Sequence, residues 1–426
     1  MKKFFAVILA FVMVLTLAAC NGGAGSSPAA GGTTSTPGAA STPAPAGEPV
    51  PPVKIGVSQI LSGQYAEPGT HALDGLTLAV QHINDAGGIK SLGGAKIEMV
   101  IQDATSDPTQ AKNVVERMVM DEEIICWFGP SISAVMLSTL PVLEKNGIPL
   151  ITDASGDALF EQGFKYIFCI THRGFKIGAN VAACLNWLNT EKGFSFHRVG
   201  IVYENSAAGI PMAEGARKNL ANYGLEIAFD ESFPPGLTDA SSIVTAMKNS
   251  EVEVFNPSTY AAESKLFIDT MNSQDFHPLI VGPVAWPSLG ENLGSAVNGV
   301  LSTANWNAHT KAVQDNPKWK AVVEEFEATH SYFMDEKAGP NYQCGMILWE
   351  ALEATGSRDR EVLAEYLRTA TFENTMMSPP TIKFGDDGNN GNAAAVIHQW
   401  QDGVPYAVFP REYAVREFVD PTTLSN

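Results

Sequence analysis

The chain has 426 residues, with 27 Lys+Arg against 46 Asp+Glu and a formal net charge of −19. So acidic a balance argues against the phosphates of nucleic acid and against anionic lipid headgroups as partners. With no CxxC pair and no clustered histidines, the five cysteines and eight histidines frame no zinc site; no metal or cofactor is expected, and one disulfide among Cys126, Cys169, Cys184 and Cys344 stays open without a preferred pairing.

Lys2 and Lys3 precede an apolar run from Phe4 to Ala19, shorter than a membrane span of roughly 20 residues plus flanks, which is the pattern of an export signal. Its end, LAAC at Leu17 to Cys20, resembles the lipobox of bacterial lipoproteins, in which Cys20 becomes the lipidated first residue; an ordinary secretory signal containing a cysteine is the alternative. Residues 21–52 are almost wholly Gly, Ala, Ser, Thr and Pro, unable to bury a core and expected to form a flexible tether. Removing Lys2 and Lys3 leaves 25 basic residues against the same 46 acidic ones. Residues 53–426 exceed the usual size of one core, so two lobes are expected.

The body opens with VKIGVSQILSG, a short strand breaking into a Ser-Gly turn, and continues with ALDGLTLAVQHINDAGGI. There Leu73, Leu76, Ala79, Val80 and Ile83 recur at helical spacing, and Gly87-Gly88 supply a glycine stop. The double glycine lies at the wrong end of its helix for a phosphate loop and lacks the GxxxxGK[ST] pattern. Next come AKIEMVIQDATSDP (strand), TQAKNVVERMVMDE (helix), EIICWFGPSIS (strand), AVMLSTLPVLEKNG (helix) and IPLITDASG (strand). The alternation runs on through RVGIVYENSAAG, LEIAFDESFP, VEVFNPSTYA and PLIVGPVAW, each followed or preceded by a helical stretch. Repeated strand-then-helix order means parallel sheets covered on both faces, the doubly wound α/β class.

In such sheets ligands bind beyond the carboxyl ends of the strands. The loops to inspect are LSGQYAEPG, GPSIS, TDASGD, YENSAAG, NPSTYA and GPVAWP, rich in hydroxyls and rings and poor in charge. That composition suits a neutral or singly charged small molecule. In FGPSIS, Ser131 and Ser133 stand where a strand gives way to a helix, whose free N–H groups favour an anion.

The ordered set LSG, INDAGGI, QDATSDPTQA, FGPSIS, GIPLIT, IVYEN and VGPVAW resembles the leucine/isoleucine/valine-binding family of ABC-transporter solute-binding proteins, with the type I periplasmic-binding-protein fold. The match runs from about residue 53 to 402. The resemblance implies two lobes joined by a three-segment hinge: residues 53–172 with 303–392, and residues 173–302 with 393–426. It also implies a monomer, lipid-anchored outside the cytoplasmic membrane, that captures a solute and presents it to a membrane permease without altering it.

Carried over residue by residue, the resemblance puts the grip on a ligand carboxylate at Ser133. Ser131 stands beside it, and assistance comes from the loop Ala154, Ser155 and Gly156, where Gly156 takes a threonine position. An aromatic position falls on Ala208, next to Asn205, and a tyrosine position on Tyr260. The acidic position that pairs with an amino acid's ammonium falls on Val284. Without that carboxylate a buried ammonium lacks compensation, so acids or amides are expected to bind at least as well as branched-chain amino acids. Asp153, Asp157 or Glu204 could replace the missing charge. Tyr65 and Trp286 add aromatic surface.

Each residue also has a plainer role: Ser133 as a helix cap, Tyr260 and Trp286 as loop-edge packing, Asn205 as a loop organiser, Trp306 as core. The chain carries no GxSxG, HExxH or Walker loop, and no SxxK paired with a KTG, which argues against an exported hydrolase. A ligand-sensing module of the same fold, acting through a separate signalling partner, is the other alternative.

Overall fold

The computed structural model describes residues 50–121 and 123–423. The export signal, Cys20 and the tether up to residue 49 lie outside the described residues.

The first half builds as β1 (Val53–Val57), α1 (Ala66–Asp85), β2 (Ile97–Ile101), α2 (Pro108–Met118), β3 (Ile124–Phe128), α3 (Ser133–Lys145), β4 (Leu150–Thr152) and β5 (Ile167–Cys169). The five strands form one wholly parallel sheet in the order β2-β1-β3-β4-β5. Helices cover both faces, so β3 (IICWF) is buried at every position instead of alternating. Gly56 on β1 is required by packing: a Cβ there would stand 2.4 Å from the Trp127 ring. The indole in turn donates from Nε1 to Ser58 Oγ at 2.9 Å.

After a crossover, α4 (Gly174–Glu191), β6 (Arg198–Glu204), α5 (Gly209–Leu220), β7 (Glu226–Phe233), α6 (Ser241–Asn249), β8 (Val254–Ser258), α7 (Ala261–Ser273), β9 (Leu279–Val284), α8 (Pro287–Leu293) and β10 (Leu301–Ala304) make the second lobe. The chain then crosses back through α9 (Lys311–Gln314), α10 (Pro317–Thr329), α11 (Ala338–Thr355), α12 (Arg360–Thr369), β11 (Phe372–Glu373) and β12 (Thr381–Ile382). Their side chains, Trp319, Phe326, Leu348 and Phe372 among them, share a core with Val53, Ile55 and Phe168. Trp306, at the crossover, belongs to that core and donates Nε1–H to Met376 O at 2.7 Å.

A third crossover delivers β13 (Val396–Gln401) and β14 (Val404–Phe409) to the second sheet, whose order is β14-β13-β10-β9-β8-β6-β7. Here the expectation of two parallel sheets needs correction: β10, β13 and β14 pair antiparallel. The cause is local. Asp402 and Gly403 both adopt positive φ (55° and 77°) between Gln401 and Val404, the two-residue Asp-Gly turn that folds a strand back on its neighbour.

Cys126, Cys169, Cys184 and Cys344 are free and buried, so the disulfide left open by the sequence does not form. Burial pushes the Cys169 thiol up to about 11, which keeps it protonated and inert.

Candidate functional site

The carboxyl ends of both sheets meet across a cleft. On the first-lobe side, β3 ends in Gly129, whose φ of +80° turns the chain into Pro130 and the α3 amino terminus. Gln59 clasps Ser131 twice, accepting its N–H at 3.1 Å and donating Nε2–H to its Oγ at 3.0 Å. Ser133 is the first residue of α3, and Ile132 takes the cap position without a side-chain cap. The Ser133 hydroxyl oxygen accepts the Gly156 N–H at 3.0 Å, which leaves its hydrogen available for a ligand acceptor. A Cβ at Gly156 would sit 2.7 Å from the Ser133 Cβ, so glycine is what lets the two loops close on each other.

The same wall carries a buried ion pair that sequence reasoning missed. Lys337, just before α11, donates to Asp153 Oδ2 at 2.6 Å and to the Ser131 carbonyl at 3.2 Å. Burial alone would lower the Lys337 pKa, but the Asp153 and Glu336 carboxylates outweigh it and the ammonium is held above its ordinary value. Asp335 sets this segment. Its Oδ1 accepts the N–H groups of Lys337 and Ala338 at 3.0 and 2.9 Å, and its Oδ2 pairs with His71 Nδ1 at 2.7 Å. Glu336 accepts the Asn305 N–H at 2.9 Å, and burial pushes its carboxyl up to about 7.

The second-lobe wall is less satisfied. Glu204 closes β6 with 2% of its surface exposed, and its Oε1 meets no partner among the described residues. Burial raises its pKa, opposed by a hydrogen bond from the Ser206 side chain and helped by the Glu263 charge. Trp286 Nε1 and Asn305 Oδ1 are likewise buried without partners. Tyr260 stacks on Trp286 (ring centroids 6.3 Å apart) and meets the tilted ring of Tyr65 of the first lobe at 5.2 Å. Burial, then the Glu204 charge, drives its phenol well above the ordinary tyrosine value.

Of the residues singled out from sequence, Ser131, Ser133, Ser155, Ala208, Tyr260, Val284 and Trp286 line the cleft. Tyr65 stands one layer back, against Tyr260. Ala154 is spent inside its own loop, where its N–H bonds Thr152 Oγ1 at 3.1 Å, and Gly156 acts only through Ser133. Asn205 is exposed and bonds the Phe233 carbonyl through its backbone at 2.8 Å, away from the cleft. Of the three substitute acids, Asp153 is taken by Lys337 and Asp157 accepts the Phe175 N–H at 3.1 Å, while Glu204 does line the cleft.

Asn305, Glu336 and Lys337 were not foreseen. The charged run Asp335-Glu336-Lys337, followed directly by an apolar helix, was the available signal. Across the mouth, Ser288 donates its hydroxyl to Glu67 Oε2 at 2.8 Å, joining the lobes. Among the described residues no group of His, Cys, Asp and Glu is placed to hold a metal ion, and no helix is long and apolar enough to cross a membrane.

Comparison with known proteins agrees with this architecture. A family model described as periplasmic binding protein matches residues 52–404. A Leu/Ile/Val-binding protein homolog of Brucella abortus is 25% identical over 376 residues, spanning 85% of this chain and 92% of that relative. Among solved structures, the branched-chain amino acid transporter substrate-binding protein LivJ of Streptococcus pneumoniae, in complex with isoleucine, superposes with a TM-score of 0.73 at 23% identity, covering 84% of this chain and all of that one. An R. palustris ABC-transporter solute-binding protein in complex with benzoate superposes equally well, at 0.73 and 19% identity, covering 86% and 98%.

Proposed function

The chain belongs to the periplasmic binding protein family, and from that premise we propose that it is the extracytoplasmic, lipid-anchored solute-binding component of an ABC importer. It captures a small carboxylate-bearing molecule between lobes 53–172 with 303–392 and 173–302 with 393–426. Solute binding favours the closed arrangement, which a membrane permease recognises. The protein performs no reaction on its ligand.

The observation that carries this reading is the Ser133 corner. A hydroxyl whose oxygen is already engaged by Gly156 has its hydrogen left to give. It stands at the amino end of a 13-residue helix, with the Lys337 ammonium bonded to the Ser131 carbonyl beside it. The same ammonium is paired with Asp153 at 2.6 Å. Donors converging on one point in a buried wall suit a carboxylate. The relatives' ligands, isoleucine in one and benzoate in another, share that group.

The test is a titration with a panel of carboxylic acids, amino acids and amides, followed by Ser133→Ala. Binding should be saturable and reversible without turnover, and Ser133→Ala should weaken it by roughly 1–3 kcal/mol, with a fall in the melting temperature of the free protein as well, because the buried Gly156 N–H loses its acceptor. Consumption of the ligand, or an unchanged affinity in the variant, overturns the assignment.

A further inference from the structure

Resting on the reading that the cleft captures a carboxylate-bearing solute, we propose that the capture is proton-coupled: a proton enters with the solute and settles on Glu336 in the first-lobe wall, and the complex loosens as that proton is lost. The charges gathered at this wall carry the proposal. Three carboxylates, Asp153, Asp335 and Glu336, stand against the Lys337 ammonium and the His71 imidazole. All five groups are buried. With every one of them charged, the cluster has one negative charge in excess, and a solute carboxylate entering the cavity that Glu336 and Lys337 line makes it two. Like charges withdrawn from water in this way do not all persist, and one of the carboxylates takes a proton.

The partners of each group decide which one takes it. Asp153 has the Lys337 ammonium at 2.6 Å. Asp335 has His71 Nδ1 at 2.7 Å and the N–H groups of Lys337 and Ala338. Burial would lower the His71 pKa, but the Asp335 carboxylate outweighs it and the imidazole is held above its ordinary value. Glu336 has one neutral donor among the described residues, the Asn305 N–H at 2.9 Å. Its carboxyl is the least compensated of the three. Burial raises it to about 7 against the opposing Lys337 charge, with Asp335 and Asp153 adding to the rise.

The groups that face Glu336 from other elements bring no further cation. Tyr260, at the cap of α7, feels the Glu336 charge and keeps its phenol protonated, burial being the larger cause. Glu204, at the end of β6, lines the same cavity and adds to the negative potential. A solute carboxylate set down in this field drives the Glu336 carboxyl still higher. Above pH 7 the complex then binds more protons than the free protein, so affinity falls as pH rises.

The experiment is calorimetric titration of the intact protein with benzoate, isocaproate and leucine between about pH 6 and pH 8.5, in buffers of differing ionisation enthalpy. The tightest binder should carry in about one proton near pH 8 and lose about 10- to 30-fold in affinity across the range, as expected of a group that titrates near 7 in the free protein and well above that in the complex. Glu336→Gln keeps an acceptor for the Asn305 N–H and carries no charge. It should abolish the uptake and bind the same acid about 10- to 30-fold more tightly than the wild type does at about pH 8.5. Binding without proton uptake, or an uptake and pH slope that survive Glu336→Gln, overturns the proposal while leaving carboxylate capture intact. Failure of all three acids to bind overturns the capture of these acids and the proposal together. Should Glu336→Gln not fold, Glu204→Gln decides: an uptake that persists there supports Glu336, and one that vanishes overturns it.

Discussion

The two walls of the cleft differ in how far their polar groups are fastened. In the first lobe the polar groups that line the cleft are already fastened: Ser131 to Gln59, Ser133 to Gly156, Lys337 to Asp153 and Ser131. Among the described residues the first-lobe wall leaves Asp153 Oδ1 buried without a partner, while on the facing wall and in the crossover leaving it Glu204, Trp286 and Asn305 each carry such an atom. A fastened wall loses little freedom on binding and serves as an anchor. An unsatisfied wall gains most when the right donor or acceptor arrives, so discrimination belongs there. In the second sheet both ring nitrogens of His398 on β13 are buried without partners among the described residues.

The strongest blow to this contrast should come from the fastened side. Lys337→Met strips Asp153 of its counter-ion inside the protein, and the expected loss of stability is about 3–5 kcal/mol. The paired variant Lys337→Met with Asp153→Leu should recover most of it, read as the melting temperature of each. A single variant as stable as the parent would mean that the pair does not hold the wall.

A second test probes the unsatisfied lobe through pH. Burial, with a smaller push from His309, depresses the His398 pKa to about 3. The unfolded chain binds this proton near pH 6.5 and the folded one does not, so stability is lost as pH falls from about 6.5 towards the folded value. Relative to the parent, His398→Leu should become more stable by roughly 1–3 kcal/mol at pH 4.5 than at neutral pH. Denaturant midpoints across that range measure the widening gap, and parallel curves would refute it.

The smallest effect sharpens the link between the walls. Glu67 is partly exposed and takes both the hydroxyl and the N–H of Ser288, at 2.8 and 3.3 Å. Glu67→Gln should favour the open form by about 0.5–1.5 kcal/mol, seen as a larger radius of gyration without ligand and a slightly weaker affinity.

Much of this was legible along the chain, because strand-then-helix alternation is a local signal of burial on both faces. The Ser-Ile-Ser turn at the end of β3 was legible too, since a helix start is written in a few neighbouring residues. The antiparallel edge was also present in Asp402-Gly403, but the expectation of parallel sheets passed over it. Lys337 was not legible: it stands 184 positions from Asp153, and nothing near a lysine in sequence tells whether it will be solvated or buried. Asn205 misled in the opposite sense. It shares a loop with Glu204 and Ala208, yet its side chain points to solvent.

By itself, then, the sequence determined the layered α/β class, the order of the loops that face a ligand, and the serine at the helix start. These follow from periodicity and from turn chemistry acting over a few residues. Only the tertiary structure decided which charges are neutralised and which stand unanswered. That depends on what the second and third crossovers bring against the first lobe, and the free energy of a buried charge is fixed by neighbours distant in the chain.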